Sequence, residues 1–225
     1  MIKQNLSNVL SSIEQAALAA GRLPEEVKLV AVSKTKPMEL IHEAYGAGQV
    51  IFGENRPQEL REKHPELPDA KWHMIGGLQR NKVKYIAPFI DLIHSVDSER
   101  LLGEINKQAA KNERVIDCLL QLNISDEDNK SGLDEAGAAA ILDRIEEFPH
   151  VRILGLMGMA EFTDDKAVIR SQFDRLKTAF DAFSSNTHDR VKMQELSMGM
   201  SGDYDIAIEA GATMVRIGSA IFGSR

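Results

Sequence analysis

Short apolar segments alternate with amphipathic helical segments along almost the whole chain, and this alternation constrains the fold more than any other feature. Each apolar segment is too short for a buried helix and is bounded by turn-forming residues, as expected for a strand buried on both faces. Strands are predicted at Val27–Lys34, Gln49–Phe52, Trp72–Gly76, Asp91–Val96, Ile116–Ile124, Val151–Met157, Met193–Met198 and Thr213–Gly218.

The segments between these strands carry apolar residues at helical spacing. A first helix, over residues 5–20, precedes all the strands and ends at Gly21. Further helices are predicted at Met38–Ala47, Pro57–Lys63, from about Leu78, after Asp97 or Ser98, around Ala138–Ile145, around Ile169–Phe183 and at Asp205–Ala210.

Strands that alternate with helices pair in parallel through right-handed crossovers. About eight such units after one extra N-terminal helix predict a single (β/α)8 TIM-type barrel domain over residues 1–225. An open doubly wound sheet is the alternative. The barrel is favoured because no Gly-x-Gly-x-x-Gly sequence follows a predicted strand.

Composition narrows the functional classes. The chain has 27 Lys and Arg against 34 Asp and Glu, and its net charge of −7 argues against nucleic-acid binding. No apolar run has the ~20 residues of a membrane helix, and the N-terminus lacks the apolar core of a secretory signal. The single cysteine, Cys118, is expected to be buried and fits a reducing compartment. We therefore expect a cytoplasmic protein with no membrane contact.

Lys34 is the strongest candidate for a chemically reactive residue. In a barrel of this type, ligands bind at the carboxyl ends of the strands, and Lys34 ends the first predicted strand. It shares strand parity with Val30 and Val32, which would point it into the barrel mouth. A neutral amine there can form a Schiff base with an aldehyde. The alternatives are a lysine that reaches the rim or pairs with Glu54, whereas Lys36 is expected at the surface.

The loops after the seventh and eighth strands predict a phosphate site. They read SMGMSGD and RIGSA, and barrels often bind phosphate at these two positions. Glycines allow close backbone approach and serine hydroxyls donate hydrogen bonds. Ordinary turns with serine caps would give a similar pattern. Arg216 would face the same pocket or form a structural salt bridge.

The remaining polar residues do not predict a functional role. His73 and His94 lack metal-ligand spacing and are expected in the core or behind the site. The charged run Asp126–Lys130 is expected to be a solvated loop. No catalytic residue set and no metal site is predicted.

The motifs AVSKTKP, FGEN, WHMIGGLQRNK, NISDEDNKSG, GLMGM and LSMGMSGDYDIAIEAGATMVRIGSAIFG occur in this order. Together they resemble the pyridoxal phosphate homeostasis protein family from about Val27 to Gly223. The resemblance implies a single barrel like the N-terminal domain of alanine racemase, with pyridoxal 5′-phosphate (PLP) as cofactor. It implies that PLP is held as a Schiff base on Lys34, with Asn55 near the ring. The remaining cofactor-binding positions implied by the motifs are Ser201, Arg216, Gly218 and Ser219.

The resemblance implies a non-catalytic carrier in intracellular PLP homeostasis. A PLP-dependent amino-acid racemase is the alternative, and a Schiff-base aldolase acting on a phosphosugar is a third reading. The carrier is favoured because alanine racemases use a tyrosine from a second domain, which is not expected here. PLP-dependent apoenzymes are the expected partners and a monomer is the expected state.

Overall fold

The strands pair in the order in which they occur in the chain and close into a parallel barrel. The computed structural model describes residues 1–125 and 131–223. In these ranges the first strand, Lys28–Val32, pairs with Ile51–Glu54 on one side and with the last strand, Met214–Ile217, on the other. The eight strands are β1 Lys28–Val32, β2 Ile51–Glu54, β3 Lys71–Met74, β4 Leu92–Val96, β5 Ile116–Gln121, β6 Val151–Met157, β7 Val191–Met200 and β8 Met214–Ile217. The predicted barrel is therefore confirmed, and the open sheet is excluded.

Helices cover the outside of the barrel. They are α1 Ile2–Ala19, α2 Met38–Gly46, α3 Pro57–Lys63, α4 Glu99–Lys111, α5 Glu135–Asp143, α6 Lys166–Phe183, α7 Tyr204–Glu209 and α8 Ser219–Phe222. Ser98 caps α4 by accepting a hydrogen bond from the Leu101 N–H. Of the helices in the described ranges, none combines the length and hydropathy that a bilayer-spanning segment requires. The predicted loop Asp126–Lys130 lies outside the described residues.

The crossover between β3 and β4 differs from the prediction. The segment expected to be α-helical from about Leu78 forms a 3₁₀ helix over Arg80–Tyr85. Pro88 follows closely, and a proline disfavours the α conformation of the residue before it. Pro88 therefore limits how far a helix here can extend beyond Ile86, but it does not determine the 3₁₀ form of Arg80–Tyr85.

Two strand boundaries matter for the site. The strand predicted to reach Lys34 ends at Val32, so Lys34 lies in the turn that follows. The parity argument that aimed Lys34 into the barrel therefore extended the strand two residues too far. In contrast, β7 runs to Met200, two residues beyond its predicted end.

Apolar side chains fill two regions. The larger cluster lies between the strands and the helices and includes Trp72, Phe52 and Phe173. A smaller cluster fills the barrel interior and consists of Val30, Ile75, Leu92, Leu119, Met157 and Met214. A Cβ on Gly53 would lie 2.8 Å from Val30 Cγ1, so the interior leaves no room for a side chain there. The interior is thus a packed core, and a ligand has to bind above it, at the rim.

Candidate functional site

Lys34 is half-buried at the carboxyl end of β1, in a tight turn. The Ser33 carbonyl accepts a hydrogen bond from the Lys36 N–H at 3.0 Å, which closes the turn over Lys34 and Thr35. Thr35 adopts a φ of +63°, in the left-handed region. The Ser33 N–H bonds to the Gly53 carbonyl and joins the start of the turn to β2. The turn therefore has a fixed position at the rim.

Asn55 follows β2 directly and is half-buried. A Cβ on Gly76 would lie 2.7 Å from the Asn55 carbonyl oxygen, so this glycine lets the end of β3 approach Asn55 closely. Asn55 also lines an open cavity of about 580 Å³, together with Arg56 and Lys82. The structure thus places Asn55 at the same rim as Lys34.

The loops after β7 and β8 bring two predicted phosphate-site residues together. The Ser219 hydroxyl donates to the Ser201 hydroxyl at 3.4 Å, and both side chains are exposed. Gly218 lies against β1, because a Cβ there would be 2.9 Å from the Val32 carbonyl oxygen. The two hydroxyls are therefore next to the strand that leads to Lys34.

Arg216 lies within β8 and is only 4% exposed. It donates from Nη1 to the Ser197 hydroxyl at 2.6 Å and from Nη2 to the Gly158 carbonyl at 3.1 Å. Burial lowers the pKa of Arg216 to about 10, while the charge of Asp203 acts to raise it. Arg216 forms no ion pair with a carboxylate among the residues that the structure describes, so the predicted alternative of a structural salt bridge is wrong.

The Ser197–Arg216 contact continues into two buried histidines. His94 Nδ1 is 2.9 Å from the Ser197 hydroxyl, and His94 Nε2 is 3.0 Å from His73 Nδ1. Since arginine can only donate, the Ser197 proton is available for His94 Nδ1. His94 then carries its proton on Nε2 and donates a hydrogen bond from Nε2 to His73 Nδ1. This chain of four side chains, His73–His94–Ser197–Arg216, crosses from β3 to β8 and is called the polar chain below.

Both histidines in the polar chain are neutral at physiological pH. Burial lowers the pKa of His73 to about 3, with smaller contributions from Lys71 and Lys28. Burial also lowers the pKa of His94 well below its usual value, and His73 and Arg216 act in the same direction. Charging either ring would place a second cation near Arg216. The sequence predicts these histidines in the core or behind the site, and both are buried.

Sequence reasoning missed Ser197 as the side chain that holds Arg216. Its signal was a small polar residue between Leu196 and Met198, whose side chains pack on the outer core. Cys118 is fully buried, as predicted. Lys36 is half-buried and donates to the Gly223 carbonyl, so its expected surface position is only partly realised. Within the described ranges, no three His, Cys, Asp or Glu side chains are grouped as a metal site would require.

Residues 3–225 match the family model described as "Alanine racemase, N-terminal domain". The pyridoxal phosphate homeostasis protein of Aquifex aeolicus (strain VF5) is 41% identical over 224 residues, which cover 99% of this chain and 97% of that protein. The chain belongs to the pyridoxal phosphate homeostasis protein family.

Solved structures agree with this family assignment. PipY of Synechococcus elongatus PCC7942, solved with PLP bound, is 35% identical and superposes with a TM-score of 0.86 over 99% of this chain and 100% of its own. Alanine racemase from Streptomyces lavendulae has a TM-score of 0.77 at 16% identity, covering 99% of this chain and 58% of the racemase. At that identity the racemase indicates a common fold alone, whereas the likeness to PipY extends over nearly the full length of both chains.

Proposed function

We propose that this protein binds PLP at the carboxyl-end rim of the barrel and serves as an intracellular PLP carrier without catalytic turnover. PLP supplies an aldehyde that condenses with an amine, with loss of one water, to form a Schiff base. Lys34 provides that amine in our proposal. The observation that carries the proposal is the fixed position of Lys34, Arg216 and the Ser201–Ser219 pair on one rim, in a full-length relative of PipY.

The residues at the rim match the chemical groups of PLP. The phosphate is an anion, and the Ser201 and Ser219 hydroxyls can both donate to it. The Ser219 and Ala220 N–H groups lie at the start of α8, where backbone donors have no acceptor within the helix. Asn55, at the end of β2, is assigned to the ring side of the site. Gly218 allows this loop to pack directly on β1.

Arg216 is assigned to the pyridine nitrogen. Its guanidinium is buried without a carboxylate partner among the described residues, so donors remain available beyond the two bonds it makes. Even with its pKa lowered to about 10, Arg216 stays protonated at neutral pH. A donor-only partner keeps the pyridine nitrogen unprotonated, and an unprotonated ring is a weaker electron sink. This assignment favours holding the cofactor over carbanion chemistry.

The tyrosines also support a carrier. The chain has three, and the resemblance to alanine racemase implies that racemisation would need a tyrosine as the second base. Tyr45 and Tyr204 pack against the apolar layer outside the barrel. The Tyr85 ring lies among the cationic groups of Arg61, Lys82 and Lys84. We propose PLP-dependent apoenzymes as recipients, in the cytoplasm, with the protein acting as a monomer.

The decisive experiment is a PLP titration of the purified protein, followed by borohydride reduction and peptide mapping. We expect the visible Schiff-base band to form and the reduced pyridoxyl group to be on the peptide that contains Lys34. Lys34→Ala should abolish the band, whereas Lys36→Ala should retain most of it. Modification found only on Lys36 would contradict the assignment.

A further inference from the structure

The turn that carries Lys34 has an unfavourable backbone conformation. Thr35 adopts a φ of +63°, although β-branched residues rarely occupy the left-handed region. Only one other non-glycine residue in the described ranges has a positive φ, Glu113 beyond the end of α4. Strained residues of this kind persist when their surroundings hold them, and they cluster at functional sites. The question is therefore what holds Thr35.

Three side chains, each buried or half-buried, hold the two residues that flank Lys34, namely Ser33 and Thr35. Glu59, on α3, accepts the Thr35 N–H with Oε2 at 2.7 Å. Lys63, one turn later, donates to that same oxygen at 2.9 Å and to the Ser33 carbonyl at 2.9 Å. We call Glu54, Glu59 and Lys63 the carboxylate clamp.

Glu54 completes the clamp from the end of β2. Its Oε1 accepts from the Ser33 hydroxyl at 2.6 Å and from Lys63 Nζ at 2.7 Å. Glu54 is fully buried and Lys63 is 8% exposed. The three donors of the Lys63 ammonium are all used, two on carboxylates and one on the turn. The clamp therefore fixes Ser33 from one side and Thr35 from the other, and leaves Lys34 between them.

Stability alone does not account for this arrangement. Removing charges from water costs free energy that the attraction within a buried ion pair often does not recover, so such pairs are weak evidence for a stabilising role. Here the Oε2 atom of Glu54 is also buried without a hydrogen-bond partner among the described residues. What the clamp provides is one defined conformation of the turn.

We propose that the carboxylate clamp holds the Ser33–Lys36 turn in the conformation that presents the Lys34 amine to the cofactor, with Glu59 as the principal positioning residue. This inference rests on the proposed role of Lys34 as the Schiff-base lysine. Lys34 itself forms no hydrogen bond with the three clamp residues, so the clamp acts on it through the backbone on either side.

The test uses Glu59→Ala in the full chain, with Glu66→Ala as the matched control. Glu66 is an exposed carboxylate just beyond α3, so its removal changes the charge equally. We expect Glu59→Ala to raise the Kd for PLP roughly 10-fold, as for the loss of one charge-assisted hydrogen bond. Hydrogen exchange of the Thr35 amide should accelerate in the cofactor-free protein. Glu66→Ala should change neither quantity.

A second substitution separates positioning from general damage. Glycine adopts a positive φ without strain, so Thr35→Gly in the Glu59→Ala background should return the Kd to within about 3-fold of wild type. Glu59→Gln keeps an oxygen that can accept the Thr35 N–H, and should raise the Kd less than Glu59→Ala. This variant also tests the proposal if Glu59→Ala does not fold.

Two results would overturn the clamp. One is a Kd for Glu59→Ala equal to that of the Glu66→Ala control, and the other is a weakened Kd that Thr35→Gly does not restore. Failure of the proposed function is distinct, because it would appear as undiminished borohydride trapping in Lys34→Ala. In that case the Thr35 exchange rate still decides whether Glu59 holds the turn, and unchanged exchange in Glu59→Ala would reject the clamp.

Discussion

Arg216 and Ser197 are joined by a 2.6 Å hydrogen bond between neighbouring strands β8 and β7. The bond places the only hydroxyl group of the polar chain between a buried cation and a neutral imidazole. Ser197 therefore accepts from one side and donates to the other. This arrangement sets the position of Arg216 without using a carboxylate, and so preserves its charge for a ligand.

Replacing Ser197 with alanine should destabilise the protein, because Arg216 Nη1 and His94 Nδ1 both lose a buried partner. We expect the free energy of unfolding to fall by about 1–3 kcal/mol. Ser95 offers a matched control, since its hydroxyl is buried without a hydrogen-bond partner among the described residues. Ser95→Ala should be close to neutral. Urea denaturation measures both variants, and equal losses would contradict the bonding scheme.

His73 should make the protein sensitive to acid. Its pKa is about 3 in the folded state against an ordinary 6.5, so between these two pH values the unfolded chain binds a proton at this position and the folded chain does not. The associated stability is present above pH 6.5 and is lost as the pH falls toward 3, by up to about 5 kcal/mol. His73→Gln should flatten the acid side of the stability–pH profile, while His42→Gln, on an exposed position of α2, should not.

Glu54 should make the protein less stable as the pH rises, which is opposite in direction to the effect of His73. Burial raises its pKa to about 7 from an ordinary 4.5, against the opposing charge and hydrogen bond of Lys63. Its contribution is fully present below pH 4.5 and is lost as the pH rises through 7, by about 3 kcal/mol. Glu54→Gln should remove this decline in the denaturation midpoint. An unchanged slope in Glu54→Gln would show that Glu54 is ionised throughout that range.

The strand and helix order was predictable because each element carries a local signal. Pro57–Lys63 and Val151–Met157 have the predicted boundaries, since a proline begins the first and the second is a short, mostly apolar segment. The 3₁₀ form of Arg80–Tyr85 was not predictable, because the apolar spacing of this segment is also compatible with an α-helix. The predicted strand ends were wrong where pairing with a neighbouring strand sets the end, as at Val32, the last residue of β1 to pair with β2.

The site was predictable as a set of positions but not as a set of contacts. Lys34, Ser201 and Ser219 follow strand ends, and a barrel brings all such ends to one rim. The polar chain depends on the registers of four strands, which no local pattern encodes. The clamp joins Thr35 to Glu59, 24 residues later, through a conformation that threonine does not favour.

The phosphate assignment predicts a specific loss in Ser201→Ala. Removing this hydroxyl takes away one charge-assisted hydrogen bond, so PLP binding should weaken by roughly 1.5–3 kcal/mol. Pyridoxal lacks the phosphate and should bind wild type and Ser201→Ala almost equally, which makes it the internal control. A titration with both ligands measures the effect. Equal affinity of the wild type for pyridoxal and PLP would rule out a phosphate site in these loops.

The carrier assignment predicts that the PLP-loaded protein does not racemise alanine at an enzyme-like rate. Racemisation needs a second base on the face of the cofactor opposite Lys34. Tyr204 begins α7, shortly after the end of β7, but it packs against the apolar layer outside the barrel. A Cβ on Gly199 would lie 3.0 Å from the Tyr204 Cα, so the helix start is held tightly against β7. Incubation with L-alanine and chiral chromatography should therefore find no D-alanine above the level given by free PLP. Racemisation at an enzyme-like rate that is lost in Tyr204→Phe would show that the protein is an enzyme and would contradict the carrier assignment.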